Sequence, residues 1–461
     1  MKKRKKYKPQ YFFVIIFKVF FSIQPIHAQY SEIDDYMTLF YNTGNFSGSI
    51  LVAQNDSIII KKNYGMANYE LNVPNSFETK FHIASVSKPF TAATILLLQE
   101  KGLLDVHNPV EQFIHDYPNG ETISIHQLLT HTSGIVDVNQ ISGYDAQSRF
   151  PNTIEQVVSL FKYEPLLFEP GIKSRYSNSN YVLLAYIIEL VTNVSYGEQL
   201  KNNIFLPLEM NNSGHDGYEG KLLYNRASGY VPININEFEN APYLNFSIKA
   251  GQGSIYSTID DMYKWDQAIF NHELLSTDSW EQMFKTYKNS GSWGYGWIID
   301  EHLEKKVIWI NGRSPGVSAY HAHYINDNLA IILLSNIDVP NIQMGKDIAS
   351  IMFGEEYKIP ESYLVHVHLE DNELDQLVGS YQFGDNWFTP NHVITIYRNG
   401  DRLYSKGEGR RNTDVPLISL SNSEVFHRVF WNSIIFDRDQ NGSVISLFYE
   451  SFPNKPAIKI E

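Results

Sequence analysis

The sequence contains no cysteine among its 461 residues. Disulfides, thiolate metal sites, a cysteine nucleophile and a lipid anchor on cysteine are therefore excluded. Charged residues make up only 19% of the chain and hydrophobic residues 43%, which is ordinary usage for a globular protein. The composition thus excludes a disordered, collagen-like or coiled-coil protein, and the length leaves room for two or three domains.

A long apolar run is missing as well, even at the N-terminus. Six basic residues within residues 2–8 precede an apolar stretch over residues 11–23, which Lys18 interrupts, and Ala28 follows shortly afterwards. This order predicts a signal peptide over residues 1–28, because the stretch is shorter than the roughly 20 residues of a spanning helix. We therefore expect a secreted or periplasmic protein without a stable membrane span after cleavage; an uncleaved anchor is the alternative.

Positive charge is scarce in the rest of the chain. Residues 1–28 hold seven Lys or Arg and no acid, so their removal moves the formal net charge from −14 to −21. Such an acidic surface repels phosphate backbones, which argues against a nucleic-acid partner. Solubility alone would explain the acidity equally well, and the sequence leaves the oligomeric state open.

Residues 29–355 carry strand patterns at both ends and helical patterns between them. Strands with helices between them predict an α/β or α+β domain built around a sheet. The predicted strands cover residues 47–52, 58–60, 307–310, 318–325 and 329–334, and the predicted helices cover residues 88–101, 154–163, 181–191 and 258–270.

Beyond a charged, proline-containing segment at residues 356–371, which predicts a linker, the chain changes character. Apolar strand patterns flank Asn399-Gly400 and Asn441-Gly442, which are dipeptides favoured in tight hairpin turns. Residues 372–461 are therefore predicted to form a small all-β barrel or sandwich. No catalytic constellation is visible in this region.

The first candidates for chemistry are Ser85 and Lys88, at the start of the predicted helix 88–101. Positions i and i+3 share a helix face, so the hydroxyl and the amine can meet. An amine among apolar side chains favours its neutral form and can accept the serine proton. The spacing is unspecific by itself, because Ser159 and Lys162 repeat it, and an N-cap serine before an exposed lysine would also explain it.

Tyr176 and Asn178 are the second pair of candidates. A tyrosine near an amine can relay a proton, and an asparagine can bridge the lysine and a substrate amide. Only its context distinguishes this Tyr-x-Asn from the other copies, which begin at Tyr243, Tyr287, Tyr324 and Tyr397.

Longer stretches around these candidates resemble the class C β-lactamase-related serine hydrolases, a family that includes penicillin-binding proteins and D-alanyl-D-alanine carboxypeptidases. The stretches cover residues 81–93, 128–134 and 255–261 together with the Tyr176 segment, in the family's order. The resemblance spans about residues 31–355. It implies a β-lactamase/transpeptidase-like fold with a mixed, largely antiparallel sheet flanked by helices, a helical lobe, a site at their junction and no cofactor. It also implies the small C-terminal barrel that some members append.

The third motif of that family, a Lys or His two residues before a Gly on a strand, is where this sequence departs. The motif falls on Ile310-Asn311-Gly312, so an isoleucine replaces the cationic or imidazole group. The resemblance implies an oxyanion hole of the backbone N–H groups of Ser85 and Arg313. Asn311 or Arg313 could bind substrate in place of the missing group, although a strand places Arg313 on the opposite face from Ile310.

Together these residues predict a hydrolase that forms an acyl-enzyme on Ser85, with Lys88 and Tyr176 as catalytic partners and Asn178 as a positioning residue. The expected substrate is a small-molecule or peptide-like ester or amide. A true β-lactamase or D-alanyl-D-alanine carboxypeptidase is one alternative, which Ile310 disfavours. A catalytically weak penicillin-binding or sensor protein is another.

No metal is expected. His321 and His323 lie two apart on a predicted strand, and His366 and His368 repeat the spacing, but the sequence identifies no third ligand for either pair. His131 is expected to make structural hydrogen bonds rather than to take part in catalysis.

Overall fold

The computed structural model describes residues 24–217, 221–234, 237–357, 367–387, 391–407, 414–428 and 430–461. Residues 1–23 of the predicted signal peptide, residues 358–366 of the predicted linker and therefore His366 lie outside these ranges. The first described helix covers Gln24–Asn42 and so crosses the predicted cleavage point after Ala28. Within the described ranges, no helix combines the length and the apolarity that crossing a membrane requires.

Before the C-terminal region, groups of consecutive strands and groups of consecutive helices follow one another along the chain. The helices are α1 (Gln24–Asn42), α2 (Lys88–Glu100), α3 (Ile125–Leu129), α4 (Tyr144–Gln147), α5 (Ile154–Ser159), α6 (Asn178–Thr192), α7 (Tyr196–Leu200), α8 (Ile259–Phe270), α9 (Thr277–Met283) and α10 (Asn341–Phe353). The strands are β1 (Gly48–Gln54), β2 (Ser57–Tyr64), β3 (Met66–Asn68), β4 (Val73–Pro74), β5 (Phe81–His82), β6 (Gly214–His215), β7 (Tyr230–Asn234), β8 (Glu237–Asn240), β9 (Ile255–Ser257), β10 (Ile298–His302), β11 (Lys305–Ser314), β12 (Val317–Tyr324) and β13 (Leu329–Ser335).

A six-stranded antiparallel sheet with the order β10-β11-β12-β13-β1-β2 organises this region. Gly48 pairs with Ser335, so the first and last parts of the region close on one another. Helices α2, α6 and α8 contribute to the apolar core on one face, and α1 and α10 to the core on the other. Burial on both faces explains why β1 and β13 are almost continuously apolar. The predicted architecture of terminal strands with helices between them is confirmed.

Two predicted helices differ by three or more residues at one end from those in the structure. The helix predicted over residues 154–163 ends at Ser159, although Phe161 in the following turn still packs into the core and continues the apolar pattern. The helix predicted from Tyr181 begins three residues earlier, at Asn178. Its first turn is polar yet buried, because Ser179 donates to the Val136 carbonyl at 2.6 Å. Apolar periodicity cannot detect a helix start of this kind.

The C-terminal region is a closed eight-stranded barrel, which confirms the predicted small all-β unit. A helix, α11 (Asp371–Leu377), precedes it and begins at the last residue of the predicted linker. The barrel strands are β14 (Gly379–Phe383), β15 (Val393–Asn399), β16 (Arg402–Gly407), β17 (Val415–Ser421), β18 (Glu424–His427), β19 (Asn432–Arg438), β20 (Val444–Tyr449) and β21 (Ala457–Lys459).

The barrel shares an apolar core with the sheet region. Ile418, Phe426 and Trp431 of the barrel belong to the same buried cluster as α1 and α10, and the ring centroid of Trp431 lies 4.6 Å from that of Phe40. Beside this contact, the buried Arg428 donates to the Asn45 side chain and the Gly44 carbonyl, both at 2.8 Å. We call the apolar cluster of Ile418, Phe426 and Trp431 with α1 and α10 the shared core.

Candidate active site

Ser85 lies in a single 3₁₀ turn, Ala84–Ser87, that leads directly into α2. The turn is fixed to the neighbouring strand β9, since the Ile83 N–H donates to the Ile255 carbonyl at 2.9 Å. Ala84 adopts a φ of 46°, a left-handed conformation that is rare for a residue with a side chain. Ser85 remains partly exposed in a segment that is otherwise buried. The strained turn thus presents one hydroxyl to solvent.

Lys88 is the first residue of α2 and is fully buried. Residues i and i+3 of a 3₁₀ turn lie one above the other, and the Lys88 Nζ is 3.1 Å from the Ser85 Oγ. The same Nζ donates to the Asn178 Oδ1 and to the Gln252 carbonyl, each at 2.9 Å. A neutral amine would use its two N–H groups for these oxygens and direct its lone pair at the Ser85 hydroxyl. The arrangement therefore suits proton transfer from Ser85 to Lys88.

Tyr176 completes a cluster around the Ser85 hydroxyl. Its hydroxyl lies 2.8 Å from the Ser85 Oγ and 3.2 Å from the Asn178 Oδ1. The Lys88 Nζ lies 4.9 Å from the centre of the Tyr176 ring. Ser85, Lys88, Tyr176 and Asn178 are thus brought together, as the sequence predicts, and a proton can pass between Ser85, Lys88 and Tyr176.

Asn178 is held at both ends of its amide. Its Oδ1 accepts from Lys88, and its Nδ2 lies 3.2 and 3.1 Å from the two carboxylate oxygens of Asp137. Asp137 is buried and also accepts from the Asn139 N–H at 3.0 Å. The sequence analysis did not select Asp137. Its only sequence signal is its position three residues after Gly134, which ends a segment that resembles the family.

His131 lies against the Tyr176 segment and accepts a hydrogen bond from it. Its Nδ1 accepts from the Ser177 N–H at 3.2 Å and lies 3.3 Å from the Asn180 Nδ2. Burial and the nearby Lys88 charge hold the pKa of His131 well below its usual range, so the ring is neutral. This geometry agrees with a structural role.

A second missed residue is Trp293, which lies beside the site in the loop before β10. Its ring centroid is 5.4 Å from that of Tyr176 and 4.7 Å from that of His131. Trp293 is only partly buried, so it adds an aromatic surface next to the reactive cluster. A tryptophan in a loop carries no distinctive sequence signal, because core packing explains most aromatic residues.

Strand β11 approaches the Ser85 backbone closely at Gly312. A Cβ atom on Gly312 would lie 2.2 Å from the Ile83 carbonyl oxygen and 2.9 Å from the Ser85 nitrogen. Only glycine allows this contact. The backbone that continues into Arg313 therefore lies beside Ser85, as the expected oxyanion hole requires.

The side chains of β11 alternate as a strand requires. Ile310 is 1% exposed and packs into the core on the Ser85 side of the sheet. Arg313 points to the other side, where its guanidinium donates to the Val339 carbonyl at 2.8 Å. There it approaches the barrel, and burial together with the Arg313 charge lowers the pKa of His427 to about 3. Asn311 is half-buried and pairs with Tyr320 in the neighbouring strand.

The strand neighbour of Ile310 is His321, which is fully buried. His321 Nε2 and His323 Nδ1 lie 2.8 and 3.1 Å from one carboxylate oxygen of Asp266 in α8. The two histidines lower the pKa of Asp266 despite its burial. The two histidines and Asp266 therefore form a buried hydrogen-bonded cluster. No group of potential ligands suited to a metal ion occurs within the described residues.

The second Ser-x-x-Lys spacing has no such surroundings. Ser159 donates to the Glu155 carbonyl of its own helix at 2.9 Å, and Lys162 forms a 2.6 Å ion pair with Asp116. Ser159 and Lys162 are thus each bound to another partner and not to one another. Ser159 and Lys162 provide matched controls for the candidate pair.

The fold is the β-lactamase/transpeptidase-like fold of serine hydrolases. The β-lactamase family model matches residues 33–353, and the chain belongs to this family, whose members are serine hydrolases.

Individual relatives agree with this family. Penicillin-binding protein 4* of Bacillus subtilis (strain 168) is 28% identical over 451 residues, which cover 92% of this chain and 97% of that protein. The octameric penicillin-binding protein homologue from Pyrococcus abyssi has a TM-score of 0.63 at 23% identity, over 93% of this chain and 99% of the other. D-amino acid amidase from Ochrobactrum anthropi SV3 has a TM-score of 0.62 at 20% identity, over 72% and 99% of the two chains.

Proposed function

We propose that this protein cleaves an ester or amide bond through a covalent acyl-enzyme on Ser85. The observation that carries the proposal is the position of the Ser85 Oγ, which lies 2.8 Å from the Tyr176 hydroxyl and 3.1 Å from the Lys88 Nζ. A serine hydroxyl becomes a nucleophile when a base within hydrogen-bond reach removes its proton.

In the proposed first step, Ser85 Oγ attacks the carbonyl carbon while its proton passes to the neutral Lys88 amine. The carbonyl oxygen becomes an oxyanion, which the backbone N–H groups of Ser85 and Arg313 stabilise. Tyr176 then relays the proton to the leaving alcohol or amine as the bond to the carbonyl carbon breaks. Water then attacks the carbonyl carbon of the acyl-enzyme and gives up a proton, and the Ser85 oxygen leaves and takes a proton back. No cofactor is needed.

An activity-based label tests this proposal. The full chain is incubated with a fluorophosphonate and, separately, with a labelled penicillin, and the modified peptide is identified by mass spectrometry. The fluorophosphonate is expected on Ser85. Labelling of another residue, or no labelling of a folded protein that also hydrolyses no nitrophenyl ester, would contradict the proposal.

We propose a neutral ester or amide as the preferred substrate. The site side of β11 carries the apolar Ile310, and Arg313 donates to Val339 on the opposite side. Trp293 adds an aromatic surface beside Tyr176. The relatives named for penicillin binding and for amidase activity towards a D-amino acid indicate the class of bond, an amide, but not a shared substrate.

The prediction from Ile310 concerns substrates with a carboxylate near the scissile bond. The carboxylate of such a substrate would lose hydration beside the apolar Ile310 without gaining a charge-assisted hydrogen bond in return, at a cost of about 1.5 to 3 kcal/mol. We therefore expect kcat/KM to be roughly ten- to hundredfold lower for it than for a neutral substrate of similar shape. The measurement compares matched substrates with and without the carboxylate.

The variant Ile310→His should reduce this difference, whereas Ile310→Leu, which stays apolar, should leave it unchanged. A wild-type preference for the carboxylate form that Ile310→His does not alter would show that another group binds the carboxylate. That result would favour the β-lactamase or carboxypeptidase alternative.

We also propose export through a signal peptide over residues 1–28. The basic residues, the short apolar stretch and Ala28 support it. Sequencing the N-terminus of protein recovered from the periplasm or medium tests the cleavage, and an intact N-terminus in the membrane fraction would instead support the anchor.

A further inference from the structure

Asp137 is a buried carboxylate next to the proposed catalytic cluster. It is 7% exposed, and its two oxygens lie 3.2 and 3.1 Å from the Asn178 Nδ2. A third contact comes from the Asn139 N–H at 3.0 Å. A buried charge needs hydrogen bonds of this kind, and two of the three involve the amide that contacts Lys88.

We propose that Asp137 is a positioning residue that acts through Asn178 to fix Lys88 and to support the charge that Lys88 acquires during catalysis. This inference rests on the proposed function and adds a component to the same site. It names a group that touches neither the substrate nor the Ser85 hydroxyl.

The first step of the argument is the orientation of the Asn178 amide. A carboxylate only accepts hydrogen bonds, so it fixes the NH₂ end of the amide toward Asp137. The oxygen end must then face Lys88 and Tyr176, both of which donate to it, at 2.9 and 3.2 Å. The reversed amide would set its NH₂ group against these donors, so that of the two oxygens that accept from Lys88 only the Gln252 carbonyl would remain.

The second step is charge. When the Ser85 proton reaches Lys88, an ammonium forms in a fully buried place. The Asp137 carboxylate lies one amide away and stabilises that ammonium, because the interaction of opposite charges is strong where water is excluded. The ionisable groups that also face this region are Tyr176 and Tyr181, whose rings lie 4.9 and 5.4 Å from the Lys88 Nζ, the neutral His131 and Lys249, which donates to Asn139 at 3.2 Å.

The test measures kcat, KM and the pH profile with a nitrophenyl ester. Asp137→Ala should lower kcat by roughly ten- to hundredfold with little change in KM, since a misplacement of about 1 Å costs this much. Asp137→Asn keeps one acceptor oxygen and should retain an intermediate kcat. It also removes the charge, so the acid limb of its profile should move to lower pH.

A double variant shows whether Asp137 acts through Asn178. If it does, Asp137→Ala should cause a smaller fold loss of kcat in an Asn178→Ala background than in the wild type, because only the charge of Asp137 can still act on Lys88 there. Equal fold losses in both backgrounds would overturn the inference, as would a kcat within twofold of the wild type for Asp137→Ala. If Asp137→Ala does not fold, the test uses Asp137→Asn instead. A kcat and an acid limb of the pH profile equal to those of the wild type would then overturn the inference.

Asp261 provides a matched control. It is also buried, and it accepts from the Asn212 N–H and the Ser213 hydroxyl at 2.7 and 2.9 Å. Asp261→Asn should leave kcat and the pH profile unchanged. Labelling of wild-type Ser85 separates this inference from the proposed function: a labelled, active wild type with a fully active Asp137→Ala overturns the inference alone, whereas an unlabelled and inactive wild type contradicts the proposed function.

Discussion

Replacing Ser85 by alanine is expected to abolish fluorophosphonate labelling and to reduce ester hydrolysis by several orders of magnitude. The variant lacks the hydroxyl whose Oγ lies 3.1 Å from the Lys88 amine and 2.8 Å from the Tyr176 hydroxyl. Loss of a nucleophile typically costs roughly 10⁴-fold or more in kcat. The measurement is kcat with a simple nitrophenyl ester, together with mass mapping of the label.

Ser159→Ala is the control, because Ser159 has the same spacing to a lysine but its hydroxyl donates to the Glu155 carbonyl of its own helix. Its labelling and its kcat should equal those of the wild type. Full activity in Ser85→Ala would remove Ser85 from the mechanism and, with it, the acyl-enzyme that we propose.

The second large effect is expected for Lys88→Arg. A guanidinium does not lose its proton at any pH at which the protein is folded, so it cannot accept the Ser85 proton. Loss of a general base costs roughly 10²- to 10⁴-fold in rate. Wild-type activity should also fall toward acid pH, as the buried amine becomes protonated, and the measurement is kcat/KM across the pH range.

Lys162→Arg is the matched control, since Lys162 forms an ion pair with Asp116 and an arginine retains its charge. Its activity should be unchanged. A near-normal turnover of Lys88→Arg would assign Lys88 a purely electrostatic role and transfer the base function to Tyr176.

Local spacing and longer motifs predicted the residues that meet around Ser85, because their chemistry depends on short-range geometry. Ser85 and Lys88 are three residues apart in one turn, and Tyr176 and Asn178 flank the start of one helix. Strand alternation likewise predicted that Arg313 and Ile310 lie on opposite faces of β11.

What the sequence did not predict depends on contacts between distant segments. Asp137 meets Asn178 from 41 residues away, and Asp266 meets His321 from 55 residues away. Neither carboxylate stands in a pattern that marks it, because a single acidic residue is normally a solvated surface group. Burial alone distinguishes them, and burial is a property of the whole fold.

The shared core also determines what happens when the barrel is separated from the sheet region. Trp431 and Phe426 lie in one apolar cluster with α1 and α10, and Arg428 reaches the loop that precedes β1. Separating the two parts within residues 356–371 would expose Phe426 and Trp431 to water on one fragment and Phe40 on the other, and it would leave Asn45 without its arginine. The barrel therefore covers apolar surface of the sheet region, and its removal should lower the free energy of unfolding of that region.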